Sequence, residues 1–151
     1  MQTLLVIHNL LRWLILLFAV WAVLRSISGI AGNKVYAAAD GRSSFFFSLS
    51  MDIQFLTGIG LYYTGQWFDQ FKHFGDAMKD STTRFFTIEH EVMMIIALIL
   101  VHVGRAMVKK AATSPGKFKR SLIFFGIALL IILYATPWPF REIARPWFRW
   151  F

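Results

Sequence analysis

"RFFTIEHEVMMIIALILVHVGR", residues 84–105, decides the fold of this chain. It is apolar over a length that crosses a bilayer, since a spanning helix needs about 20 predominantly apolar residues. Yet it carries Glu89, His90 and Glu91 near one end and His102 near the other. No water reaches the hydrocarbon layer, so a span must satisfy its own backbone polar groups, which a helix does. Ionisable side chains at that depth are costly and are functional candidates. The two imidazoles therefore need a reason.

The rest of the chain repeats the pattern. Apolar runs cover residues 4–24, 45–65, 85–107 and 120–137. The 57% hydrophobic content comes in blocks rather than as one face of amphipathic elements. This predicts an all-α membrane protein: one domain over residues 1–151, a four transmembrane helix bundle with short loops and an interfacial C-terminal tail. Gly58, Gly60, Gly65, Gly104 and Gly126 lie in or beside the runs, where small residues let membrane helices approach closely. The first run lacks a basic lead and a clear cleavage site, so it is expected to stay as the first span. With no cysteine, disulfides, iron–sulfur clusters and thiolate ligands are excluded. The net charge of +8 sorts by loop, so it points to membrane topology and not to nucleic acid.

Lys and Arg bias sets orientation. The first loop holds Arg25, Lys34 and Arg42; the third holds Arg105, Lys109, Lys110, Lys117, Lys119 and Arg120. In the second, Lys72, Lys79 and Arg84 are offset by Asp69, Asp76 and Asp80. Loops one and three are expected on the cytoplasmic side of a bacterial inner membrane, with both termini outside. A short helix is expected at 35–39, and a turn centred on Ser114-Pro115-Gly116. Trp67, Phe68, Phe71 and Phe74 suggest a short amphipathic helix in loop two. The tail "TPWPFREIARPWFRWF" combines six Trp and Phe residues with Arg141, Arg145 and Arg149 every four residues. It reads as an anchor lying along the outer surface.

Depth separates the ionisable groups. His8 on the first helix and His90 on the third each lie roughly 6 Å below the outer end of their helix, at 1.5 Å per residue. Two histidines at one depth on different helices suit a b-type haem, which takes one axial imidazole from each side. Arg12, one turn below His8, can meet a haem propionate, a carboxylate or a quinone oxygen. His8, Arg12, Ile15, Ala19 and Ala22 share a stripe, as do His90, Met94, Ala97, Val101 and Gly104, and as do Gln54, Gly58, Leu61 and Gly65. Such stripes are also ordinary helix–helix contacts.

His102 is twelve residues beyond His90, roughly 18 Å deeper and about 120° round the helix. It cannot share the iron of His90. Asp52 lies near its depth, so an Asp52–His102 pair is expected, as a proton relay, a structural hydrogen bond or half of an inner site with Met51. The fourth histidine, His73, falls in a loop, which leaves too few for a second bis-histidine haem. Glu89 and Glu91 suit the positive start of a helix, and with Asp52 and His102 they form a candidate proton relay.

"HNLLRW" (8–13), "QFLTGIGLYY" (54–63), residues 84–105 and "FFGIALLIILYATPWPF" (124–140) together resemble small bacterial four-helix membrane proteins of the cytochrome b-like type. The resemblance implies a haem b cytochrome using His8 and His90, with His102 a weaker candidate. The reading is thus an electron carrier rather than a stand-alone enzyme, working with quinone or a larger respiratory complex in the lipid bilayer. The rivals are a non-redox accessory subunit, whose polar groups hold helices together, and a proton-handling protein.

Overall fold

A computed structural model describes residues 1–150. Among these residues there is no strand. Four helices, α1 (Gln2–Ala31), α2 (Ala38–Thr64), α3 (Ser81–Lys109) and α4 (Ser114–Ala135), are each long and apolar enough to cross a membrane. They form a ring: α1 packs on α2 and α4, α3 packs on α4, and α2 meets α3 most loosely. The start of α1 and the C-terminal segment share one end of the bundle, the tail end; loops one and three share the other, the basic end.

α2, α3 and α4 begin earlier than the apolar runs because polar residues cap them. At α2, the Asp40 carboxylate accepts the Ala37 N–H at 2.7 Å and pairs with Arg25. Ser43, Ser44, Ser48 and Ser50 each donate to a carbonyl three residues back, so their hydroxyls find partners within the helix. The separate helix expected at 35–39 is not formed; its last two residues open α2. At α4, Thr113 Oγ1 accepts the Gly116 N–H at 3.2 Å and Pro115 sits in the first turn. Ser114-Pro115-Gly116 is therefore a helix start and not the centre of a turn, because proline suits a first turn, where its missing N–H is not needed. The last helix ends at Ala135, before Pro137.

Asp80 caps α3 by accepting the Thr83 N–H at 2.7 Å. The helix widens into a π turn at Phe85–Glu89 and becomes regular from His90. Such turns are found frequently at functional sites. Loop two holds a 3-10 segment, Phe68–His73, and a single helical turn, Phe74–Ala77. The central core comprises Ile15, Ala19, Phe47, Met51, Ala97, Val101, Phe125 and Ala128, among others. Leu17, Leu24, Ile99 and Leu130 face outward, as on helices apolar all round.

The tail is tied to α1. Arg12 Nη2 donates to Trp147 O (2.7 Å) and Pro146 O (3.3 Å). Trp13 Nε1 donates to Trp147 O (3.0 Å), Asn9 Nδ2 to Pro146 O (3.3 Å), and Arg149 N to Asn9 Oδ1 (3.2 Å). Irregular backbone needs partners for its polar groups, and these α1 side chains provide them. Trp13 also stacks on Trp147 and Phe148, while Phe140 and Trp150 stay exposed.

Candidate ligand cavity

At the tail end the four helices part around a cavity of about 190 Å³. Its α1 and α4 wall is closed, with Arg12, Ile15, Ile132 and Thr136 buried. Its α2 and α3 wall, with Gln54, Gly58, Glu91 and Met94, is only partly buried. Trp67 from loop two and Arg145 and Arg149 from the tail line its mouth.

His8 and His90 both line this space, their ring centres 6.4 Å apart and their planes at 61°. The hydrogen bonds fix which nitrogen of each ring is free. His90 Nδ1 lies 2.9 Å from Ala135 O, a pure acceptor, so Nδ1 carries the proton. His8 Nδ1 lies 3.3 Å from Thr57 Oγ1, whose hydrogen is already given to Gln54 O at 2.8 Å. The hydroxyl therefore accepts, and His8 Nδ1 is the protonated nitrogen. Each ring keeps the Nε2 lone pair for a ligand. An N–H held by a carbonyl or hydroxyl oxygen is also how a metal-binding histidine is oriented.

A metal–imidazole bond is about 2 Å, so two rings at this separation are close enough for one metal atom to be reached from both. No group of three or more His, Cys, Asp or Glu able to hold a bare ion occurs among the described residues. A two-imidazole donor set suits a metal whose other ligands come from a macrocycle. A Cβ at Gly58 would meet only His8 Cε1, at 3.6 Å, an ordinary contact.

Charge at the mouth is unbalanced. Arg12 is buried, bonds only to carbonyls, and leaves Nε without a partner. Burial, and then the neighbouring Arg149, hold the Arg145 guanidinium below the usual arginine range. Glu91 is the one acidic side chain on the described cavity wall. A bound group with carboxylates would meet three guanidiniums there. The residues present thus fit haem b in both donor set and charge.

The other candidates lie apart. Glu89 turns to Arg84, 2.7 Å away, and leaves the cavity to Glu91. His102 Nε2 lies 2.7 Å from Asp52 Oδ1 on the seam between α2 and α3, away from the cavity. Met51 is in the core and forms part of the cavity floor. His73 is exposed in loop two. Sequence reasoning missed Asn9, Thr57 and Tyr62, and it read Arg145 and Arg149 as surface groups. The adjacency of Asn9 to His8 was the one available signal. No family model matches the chain, and no curated protein or solved structure matches it.

Proposed function

We propose that this chain is a haem b electron carrier of a bacterial inner membrane, its helices spanning the bilayer and its tail end outside. The observation that carries the reading is the pair of imidazoles 6.4 Å apart, each with Nδ1 engaged and Nε2 free. Haem b would supply a one-electron iron couple, and His8 and His90 would both be committed to holding it, which suits a carrier rather than an oxygen-activating enzyme.

The chain's own residues do the rest. His8 and His90 hold the metal, and Thr57 and the Ala135 carbonyl hold their rings in place. Arg12, Arg145 and Arg149 offset carboxylate charge at the mouth. The apolar walls, including Leu5, Met94 and Ile132, make the surroundings of the site mostly apolar. Electron exchange is with membrane quinone or a partner complex at the tail end.

A reduced-minus-oxidised spectrum of the purified protein tests this. The expected result is a set of b-type bands that vanish in His8→Ala and in His90→Ala. A colourless protein, expressed with ample haem, overturns the reading and leaves the accessory-subunit alternative.

A further inference from the structure

Outside the cavity, the seam between α2 and α3 carries a second titratable site. Asp52 Oδ1 and His102 Nε2 are 2.7 Å apart, with the aspartate 44% and the histidine 47% exposed. One turn toward the basic end, Arg105 Nη1 donates to Ser48 Oγ at 3.0 Å. Behind the pair lies the apolar core: Met51 on α2 and Val101 on α3, then Ile15 and Ala19 on α1 and Phe125 and Ala128 on α4. Arg105 is therefore the charged group nearest the pair along the seam, and α1 and α4 present none at that level. The next titratable or charged groups toward the tail end line the cavity: His8 and Arg12 on α1, and His90 and Glu91 on α3.

Asp52 stands near the middle of α2, where a lone carboxylate facing hydrocarbon is costly. A carboxylate sharing one proton with an imidazole is a net neutral unit. His102 is twelve residues along α3 from His90, about 18 Å by helical rise. Charges at that range still interact where the medium is less polarisable than water.

We propose that Asp52 and His102 form a proton-binding site on the α2–α3 seam, whose occupancy is coupled to the charge in the cavity. The coupling rests on the haem reading; the proton site does not. One electron passes from a one-electron donor to the bound group, and one proton passes from the aqueous phase to the pair. No other bond forms or breaks. Added negative charge in the cavity favours the protonated pair, and by reciprocity the protonated pair favours reduction.

The test is a potentiometric titration of the haem bands in the full chain across the neutral pH range, for wild type, Asp52→Asn and His102→Gln. Both substitutions keep a polar side chain of similar size, so the fold and haem content are checked by helicity and absorbance. The expected result is a midpoint that falls as pH rises in wild type and loses that slope in both variants. A flat wild-type midpoint, or an unchanged slope in the variants, overturns the coupling. A colourless protein overturns the haem reading alone. The pair is then tested directly by following the His102 ring in nitrogen-15 histidine-labelled protein. A His102 signal that titrates in the neutral range, and over a different range in Asp52→Asn, supports the site. A His102 signal indifferent to Asp52→Asn overturns it.

Discussion

The two halves of the bundle use the same residue types in opposite ways. At the basic end, glycine brings helices together: a Cβ at Gly29 would collide with the Phe118 ring, and one at Gly104 with Phe124 Cβ. At the tail end, a Cβ at Gly58 would make only an ordinary contact, 3.6 Å from His8 Cε1. Phe47 and Phe125 meet edge to face, fully buried, in the core below the cavity. Phe86, by contrast, lines the cavity and takes the Arg145 guanidinium over its ring at 4.3 Å. Close packing below gives rigidity, so the hollow above can keep two imidazoles apart without collapsing. The fold holds the site open by being solid elsewhere.

The comparison breaks most readily in the solid half. Phe125→Ala removes a fully buried ring from the core, and is expected to cost about 3–5 kcal/mol in thermal or denaturant unfolding. Met94→Ala, on the wall of an existing space, is expected to cost a small fraction of that. Equal losses would mean that the cavity is not a real void.

Glycine sharpens the contrast. Gly104→Ala puts a methyl group against Phe124 Cβ, which cannot swing aside as a side-chain tip can. The expected loss is about 1–3 kcal/mol, with the two helices pushed apart. Gly58→Ala makes only an ordinary contact with His8, so its unfolding midpoint is expected to stay near wild type. A larger side chain, Gly58→Phe, is expected to leave the protein folded but with less haem absorbance. Arg12→Gln removes a buried cation beside the cavity and is expected to weaken haem retention and lower the midpoint potential, whereas Arg12→Lys keeps the potential closer to wild type. A potential indifferent to Arg12 would place its charge too far from the bound group.

Much of this was legible in the sequence, and the illegible part has physical causes. Hydropathy gave four helices, and counting rises along them brought His8 level with His90 and Asp52 level with His102. It undercounted the helix starts, because Asp40, Asp80 and Thr113 cap through polar side chains that hydropathy reads as loop. The π turn before His90 leaves no periodic signal. The groups that orient the two rings were invisible for different reasons. Thr57 is a common residue on a helix remote in sequence from His8, and the Ala135 acceptor is a backbone carbonyl, which no residue type marks. The tail's attachment to α1 was invisible for the same reason, since Arg12 and Trp13 bind it through carbonyls about 135 residues away.

The smallest expected effect tests whether the two halves are separable. Thr113 caps α4 at the basic end, with its hydroxyl accepting the Gly116 N–H. Thr113→Ala loses that acceptor and is expected to cost about 1 kcal/mol, while Thr113→Ser keeps the hydroxyl and most of the stability. Ala135, whose carbonyl orients His90, ends the same helix. If α4 transmits disorder along its length, fraying its start would loosen the His90 ring and alter the haem bands. The buried contacts of Phe118, Phe125 and Ile132 lie between the two ends and hold the helix independently of its cap. The expected outcome is therefore a lower unfolding midpoint with an unchanged spectrum. A spectral change in Thr113→Ala that Thr113→Ser does not share would show that the solid half tunes the site as well as supporting it.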